Sequence, residues 1–155
     1  MDQRALVDRL GTLIGQPIGL SDWFLVDQKR INQFAECTED NQWIHTDVDK
    51  SADGPYGRTI AHGFLILSFI PAMSKSSKLP FDYSELEMKL NYGMDQVRFL
   101  KPVPVDSRVR GLMVLTQVKE KGPGRLLLTT RFTIEMDGEN EPACVAEVTG
   151  LYILK

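Results

Sequence analysis

The stretch TEDNQWIH, residues 38–45, places a carboxylate and an imidazole five positions apart. Asp40 and His45 enclose a polar segment, and the second of the two histidines in the chain, His62, follows in TIAHGFLIL. A carboxylate and an imidazole that meet around one water molecule can take a proton from it and deliver a proton to a carbon atom. Five residues is a poor spacing for one helical face, so we expect the pair to meet across a helix end and the following turn.

Gly63 is the candidate donor for an oxygen that gains negative charge during such a reaction. It follows His62 at the start of an apolar segment, AHGFLILSFIPAM. The first N–H groups of a helix lack intrahelical partners, and a glycine lets a ligand approach the backbone closely. No metal is predicted, because two histidines separated by a turn-rich loop, without HExxH or paired cysteines, fall short of a zinc site. Cys37 is rejected as a nucleophile, because Glu36 and Glu39 would discourage a thiolate.

The first half of the chain is predicted to supply helices. Residues 2–14 form a weak amphipathic helix, residues 21–26 a short strand, and residues 28–39 a helix that ends at the TEDNQWIH motif. Residues 50–59, with several turn formers, are predicted to be a loop. Apolar residues occur on every side of AHGFLILSFIPAM, which predicts a helix surrounded by protein, ended or kinked at Pro71.

After residue 85 the apolar residues recur with a period of two. Leu86, Met88, Leu90 and Tyr92 alternate with polar residues, and three further long segments do the same, joined by the turns KGPG (121–124) and DGEN (137–140). An antiparallel sheet with one apolar face must bury that face, and the apolar helix is its only adequate partner. We therefore predict a single α+β domain over residues 1–155 with a hot-dog fold, in which the sheet wraps around a central hydrophobic helix.

The composition excludes several functional classes. The chain has 155 residues, 43% of them hydrophobic and 25% charged, with a net charge of -3. It contains no basic tract or zinc-ligand spacing typical of nucleic-acid binding. The longest apolar stretch is too short to span a membrane, the start of the chain does not resemble a signal peptide, and the two cysteines are isolated. These features predict a cytoplasmic protein that binds neither nucleic acid nor membrane.

Two dense patches resemble the MaoC-like hydratases and dehydratases, which include the R-specific enoyl-CoA hydratases. The patches are FAECTEDNQWIHTDVDKSADGPYGRTIAHGFLILSFIP and LNYGMDQVRFLKPVPVDSRV. The family signature runs Asp-x-Asn-Pro-aliphatic-His, and Asp40, Ile44 and His45 match it. Gln42 and Trp43 replace the usual Asn and Pro, a variant that resembles the nodulation-protein-N-like branch of small, single-hot-dog acyl-thioester dehydratases.

The resemblance implies reversible hydration of a trans-2-enoyl-CoA, or of an acyl-carrier thioester, to the (R)-3-hydroxyacyl thioester. It implies Asp40 and His45 as the acid–base dyad around one water and the Gly63 N–H as the oxyanion donor. His62 and Gln42 are candidate substrate-binding residues, although for His62 a structural role at the helix start is favoured. No cofactor is implied. A homodimer is expected, because sheet edges favour pairing and the family joins two sheets side by side.

Two alternatives share the fold. A hot-dog acyl-CoA thioesterase would release a free thiol, but it does not account for Asp40, His45 and Gly63 together. A non-catalytic acyl-CoA-binding protein would keep the thioester unchanged, and the replacements at Gln42 and Trp43 are the feature that favours it. The cation that would contact CoA phosphates stays open among Lys89, Arg98 and Lys101.

Overall fold

The structure is a computed structural model that describes residues 2–155. This range contains six α-helices and six strands. The helices are α1 (Gln3–Gly11), α2 (Gln28–Thr38), α3 (Trp43–Thr46), α4 (Val48–Ala52), α5 (Gly63–Ser68) and α6 (Ile70–Met73). The strands are β1 (Pro17–Leu20), β2 (Phe24–Val26), β3 (Leu86–Phe99), β4 (Ser107–Glu120), β5 (Arg125–Met136) and β6 (Cys144–Leu154). None of the helices in this range is both long and apolar enough to cross a bilayer.

The strands form one antiparallel sheet in the order β1–β4–β5–β6–β3, with β2 also pairing with β4. Both predicted hairpin turns are confirmed. Lys121 N–H donates to the Arg125 carbonyl at 2.9 Å in the first, and Glu139 N–H donates to the Met136 carbonyl at 3.1 Å in the second. The three strands β4, β5 and β6 are therefore joined by tight connections and carry most of the sheet.

The apolar helical segment packs on the concave side of this sheet, which confirms the predicted hot-dog arrangement. Leu65, Ile66, Ile70 and Met73 belong to one buried cluster with residues of β4, β5 and β6. The segment is divided into α5 and α6 near Pro71, which lies in the first turn of α6, where a missing N–H costs no helical hydrogen bond. The prediction that protein surrounds the helix on every side is wrong at its start, where Phe64 is 68% exposed.

The apolar residues of β3 point away from the helix, contrary to the expectation from their spacing. Leu86 is buried, but a register shift between Leu86 and Met88 inserts a bulge into the pairing with β6. A bulge of one residue reverses the alternation of side chains that follows it. Lys89 consequently faces inward and donates to the Ser74 hydroxyl at 3.1 Å, whereas Met88 and Leu90 are exposed.

The elements before residue 60 follow the predictions less closely. The helix α2 is confirmed, α1 ends earlier than predicted, and only residues 24–26 of the predicted strand 21–26 are extended. The strand β1 and the short helices α3 and α4 were not predicted, and α4 occupies the beginning of the predicted loop. These short elements contain too few residues for a periodic pattern, so tertiary contacts decide their conformation.

A left-handed residue ends α2 immediately before Asp40. Glu39 has φ 61° and ψ 18° and forms the C-cap of the helix. This conformation crowds the Cβ atom of a residue other than glycine, and glycine is the residue most often found there. The left-handed conformation of Glu39 is therefore locally strained, and it turns the chain at Asp40 away from the helix axis.

We predict that Glu39→Gly raises the free energy of unfolding by about 1 kcal/mol, because glycine adopts this conformation without the steric cost. Glu36→Gly is the matched control, since Glu36 is an exposed residue inside the same helix. It should lower the free energy of unfolding by about 1 kcal/mol. Urea denaturation of both variants checks the pair, and a loss of stability in Glu39→Gly would contradict the assignment of strain.

Candidate active site

The imidazole of His45 is held in one orientation by a main-chain carbonyl. The residue lies in α3, just after the turn from α2, and is 7% exposed. Its Nδ1 lies 2.7 Å from the carbonyl oxygen of Ile60. Because a carbonyl oxygen only accepts hydrogen bonds, Nδ1 carries the proton. The neutral ring of His45 therefore presents an unprotonated Nε2.

A second group of contacts fixes the backbone of His45. The side-chain amide of Gln28, at the start of α2, donates to the His45 carbonyl at 2.8 Å. The hydroxyl of the buried Thr59 donates to the amide oxygen of Gln28 at 2.5 Å. Sequence reasoning missed Gln28 and Thr59, because they lie 17 and 14 positions from His45 and no local pattern relates them.

His62 brings Asp40 and His45 together from the other side. Although it is the N-cap residue of α5, its side chain makes no capping bond. Its ring stacks on the His45 ring with centroids 3.8 Å apart, and its Nε2 donates to the main-chain carbonyl of Asp40 at 2.9 Å. The ring of Phe34 from α2 lies 5.0 Å away. His62 thus contacts both residues of the predicted dyad.

Burial lowers the pKa of the His45 imidazole, because the charged form loses hydration. The hydrogen bond to the Ile60 carbonyl opposes this effect, the neighbouring His62 lowers the pKa further, and the carboxylate of Asp40 raises it. The net direction is downward. The neutral form of His45, with its free Nε2, is therefore favoured at neutral pH.

Asp40, His45 and His62 form a compact cluster of side-chain donor atoms. One carboxylate oxygen and one nitrogen from each ring lie within 4.8 Å of one another, and Asp40 is exposed while both histidines are buried. One nitrogen of each histidine is already hydrogen-bonded to a main-chain carbonyl. Within the cluster this leaves the carboxylate of Asp40, the Nε2 of His45 and the Nδ1 of His62 without a hydrogen bond to the described residues.

An apolar cleft of about 320 Å³ opens beside His45. Gly63 lines it at the first position of α5, and a Cβ atom built at Gly63 would lie 2.8 Å from the ring of Phe99. Only a residue without a side chain fits there without moving that ring. Most of the remaining lining is apolar: Ile60, Ala61, Phe64, Ile66, Leu100, Pro102, Val103 and Ala143.

The other predicted site residues are less closely tied to the cleft. Gln42 is exposed, and its side chain makes no hydrogen bond to the described residues. Of the three cations considered for phosphate binding, Lys101 lines the cleft and pairs with Glu139. Lys89 lies between the rings of Tyr83 and Tyr152 at a different surface.

The two cysteines do not resemble nucleophiles. Cys144 lines the cleft, but burial raises its pKa to about 11, so the thiol is protonated at neutral pH. Cys37 is exposed and lies outside the cleft lining. Among the candidate groups considered, this leaves the cluster of Asp40, His45 and His62 as the one that could act as an acid or a base at the cleft.

Comparison with known proteins relates this geometry to one family. The family model for the MaoC like domain matches residues 9–134. The 3-hydroxyacyl-thioester dehydratase Z of Mycobacterium tuberculosis is 40% identical over 144 residues, covering 93% of this chain and 93% of that protein. Nodulation protein N of Rhizobium leguminosarum bv. viciae is 44% identical over 147 residues, covering 94% of this chain and 89% of that protein.

A solved structure agrees in fold. The unliganded R-hydratase PhaJ1 from Pseudomonas aeruginosa superposes with a TM-score of 0.61 at 21% identity, covering 91% of this chain and 81% of that chain. At this identity the likeness concerns the fold alone. The family model and the two relatives together carry the assignment, since they span most of the sequence and include the segment from Asp40 to Gly63. The chain belongs to the MaoC-like domain family.

Proposed function

We propose that this protein is a 3-hydroxyacyl-thioester dehydratase that also catalyses the reverse reaction, hydration of a trans-2-enoyl thioester. The observation that carries the proposal is the pair of Asp40 and His45 beside an apolar cleft, with the free Nε2 of His45 next to an exposed carboxylate. Similarity to 3-hydroxyacyl-thioester dehydratase Z supports the reaction class. The (R) stereochemistry follows from the family resemblance, and we retain the cytoplasmic location as a prediction.

The dyad would handle one water molecule. In the hydration direction, Nε2 of His45 takes a proton from a water that the Asp40 carboxylate orients. The water oxygen bonds to C3 of the enoyl group while the π electrons of the double bond move towards the thioester oxygen. The dyad then delivers a proton to C2, so that one water is consumed for each 3-hydroxyacyl product. Dehydration runs through the same steps in reverse, and neither direction requires a redox cofactor.

The backbone N–H of Gly63 is the proposed donor to the thioester oxygen. It lies at the first position of α5, where N–H groups have no intrahelical partner, and Gly63 lines the cleft together with His45. The close contact between Gly63 and the Phe99 ring supports a requirement for glycine. A thioester bound here would place its carbonyl at Gly63 and its C2–C3 bond near His45.

The lining of the cleft suits an acyl thioester carried by CoA or by an acyl-carrier protein. Apolar side chains dominate the walls, and Lys101 at the edge is a candidate contact for a phosphate group. Pairing of Lys101 with Glu139 raises the pKa of Lys101, which keeps it charged. A phosphate would then compete with Glu139 for that ammonium group.

We also propose a homodimer joined through β3. This strand ends the sheet, and no strand within residues 2–155 pairs with its outer edge. Its outward side chains Met88, Leu90 and Tyr92 are between 43% and 52% exposed. An unpaired edge bearing apolar residues is favourable for pairing with a second copy.

Purified protein should hydrate crotonyl-CoA, seen as loss of enone absorbance without release of free thiol. Asp40→Asn and His45→Gln should each lower kcat/KM by about 10²–10⁴-fold, because each removes one member of the acid–base pair. Asp8→Asn is the matched control, since Asp8 is an exposed carboxylate on α1, away from the cleft. Its kcat/KM should equal that of the unmodified protein.

Other outcomes of this assay would reject the proposal. Thiol release would indicate a thioesterase. Binding of short-, medium- and carrier-linked enoyl thioesters without turnover would indicate a non-catalytic binding protein. Equal activity in both dyad variants and in Asp8→Asn would remove Asp40 and His45 from the mechanism. Circular dichroism of each variant separates loss of activity from loss of folding.

The pH dependence of hydration follows from the lowered pKa of His45. The reaction needs neutral His45, so kcat/KM should fall as the pH drops through the pKa of this residue in the free enzyme. Because that pKa is lowered from 6.5, the midpoint of the acidic limb should lie below pH 6.5. Initial rates between pH 4.5 and 8 provide the measurement, and a midpoint above pH 6.5 would contradict it.

Leu90→Glu should convert the protein from a dimer to a monomer, because it introduces a carboxylate into an apolar contact repeated by the two-fold symmetry. Glu87→Gln is the control on the same strand and should leave the dimer intact. Sedimentation velocity at several concentrations distinguishes the two states. A monomeric unmodified protein would refute the proposed pairing.

A further inference from the structure

His62 is a buried polar residue whose bonding is incomplete. It is 2% exposed, its Nε2 donates to the Asp40 carbonyl, and its Nδ1 is buried without a hydrogen-bond partner among the described residues. A buried imidazole with an unsatisfied nitrogen is a poor choice for stability alone, because the lost hydration of that nitrogen is not replaced. Stability alone therefore does not explain why an imidazole lies at position 62, next to Asp40 and His45.

The contacts of His62 reach both members of the dyad by different means. The hydrogen bond from Nε2 holds the main chain at Asp40, directly after the strained turn at Glu39. The stacked rings, 3.8 Å apart and inclined by 27°, fix the position of the His45 imidazole along its face. The ring of Phe34 also contacts His62, with the two ring centroids 5.0 Å apart, and this contact further limits the movement of the His62 ring.

We infer that His62 is a positioning residue, which sets the distance between the Asp40 carboxylate and the His45 imidazole. The geometry assigns opposite tautomers to the two histidines. His45 carries its proton on Nδ1, bonded to Ile60, and His62 carries its proton on Nε2, bonded to Asp40. The neighbouring His62 ring also lowers the pKa of His45, so its presence opposes protonation of the His45 ring.

The surroundings contain few other groups that titrate. Asp40 is the carboxylate within the cluster, and α2 presents the uncharged Phe34 to His62. Across the cleft the titratable side chains are Tyr56, Lys101 and the buried Cys144. A change in the pH profile on substitution of His62 would therefore report on its neighbour His45.

The kinetic part of the test rests on the proposed function, but its spectroscopic part does not. The chain has two histidines, so long-range ¹H–¹⁵N NMR spectra of untagged, histidine-labelled protein contain two ring systems, assigned with His62→Gln. We expect the Nδ1–H tautomer for His45 and the Nε2–H tautomer for His62. Observation of the same tautomer in both rings would overturn the inference, whether or not the protein turns over any thioester.

Three variants separate the two contacts. His62→Gln places an amide nitrogen near the former Nε2 and keeps the bond to Asp40 without the stacked ring. His62→Asn places its amide near the former Nδ1 and cannot reach that carbonyl, whereas His62→Phe keeps the stacked ring and removes the donor. We expect His62→Gln to keep kcat within about tenfold, and the other two to lower kcat by about 100-fold with little change in KM.

The pH profile supplies the readout that a merely structural residue would not change. In His62→Gln the acidic limb of kcat/KM, and the NMR titration of His45, should both move to higher pH, because the second ring no longer opposes protonation. An unmoved His45 titration would overturn the inference. Activities of all three variants that fall only with their folded fractions would also overturn it. Absence of turnover in the unmodified protein, with both tautomers as expected, would support the positioning of the rings and reject only the dehydratase proposal.

Discussion

The hydrogen bond between Nδ1 of His45 and the carbonyl of Ile60 connects the two segments from which the site is built. The backbone N–H of Ile60 donates in turn to the Ile44 carbonyl at 3.0 Å, so the segments are joined in both directions. Ile60 also forms a β-bridge with Pro104, and the Ala61 N–H donates to Val103 at 2.8 Å. The orientation of the imidazole is therefore fixed by the same short stretch of backbone that leads into α5 and borders the sheet.

Enclosure by apolar residues gives this site its chemical character. The burial that the apolar cleft provides removes water from His45 and favours its neutral form. Asp40 remains in contact with solvent whereas His45 is buried, so the two side chains differ in environment although they lie close together. The turn at the end of α2 lies at the boundary between solvent and core. Asp40 in this turn is therefore exposed, whereas His45, five residues later, is buried.

The sequence was sufficient where a pattern extends over many residues or where a motif is dense. The long strands β4, β5 and β6, the apolar helix and the positions of Asp40, His45 and Gly63 in one region follow from periodicity and from the family signature. Contacts between distant residues could not be predicted, and the support of His45 by Gln28 and Thr59 is the main example. The outward direction of Met88 was mispredicted because an alternating pattern does not reveal a bulge.

The bulge after Leu86 adds one residue to β3 before its regular pairing with β6 resumes at Met88. Removal of the extra residue, Glu87, would restore regular pairing and leave Met88 opposite Ile153 and Lys89 opposite Tyr152, so Met88 would still face outward and Lys89 inward. A deletion of one codon at this position would therefore shorten the chain without exchanging the exposed and inward-facing residues of the strand that follows. The bulge thus gives the chain one position in β3 where its length can vary while the pairing of Met88, Lys89 and Leu90 with β6 stays the same.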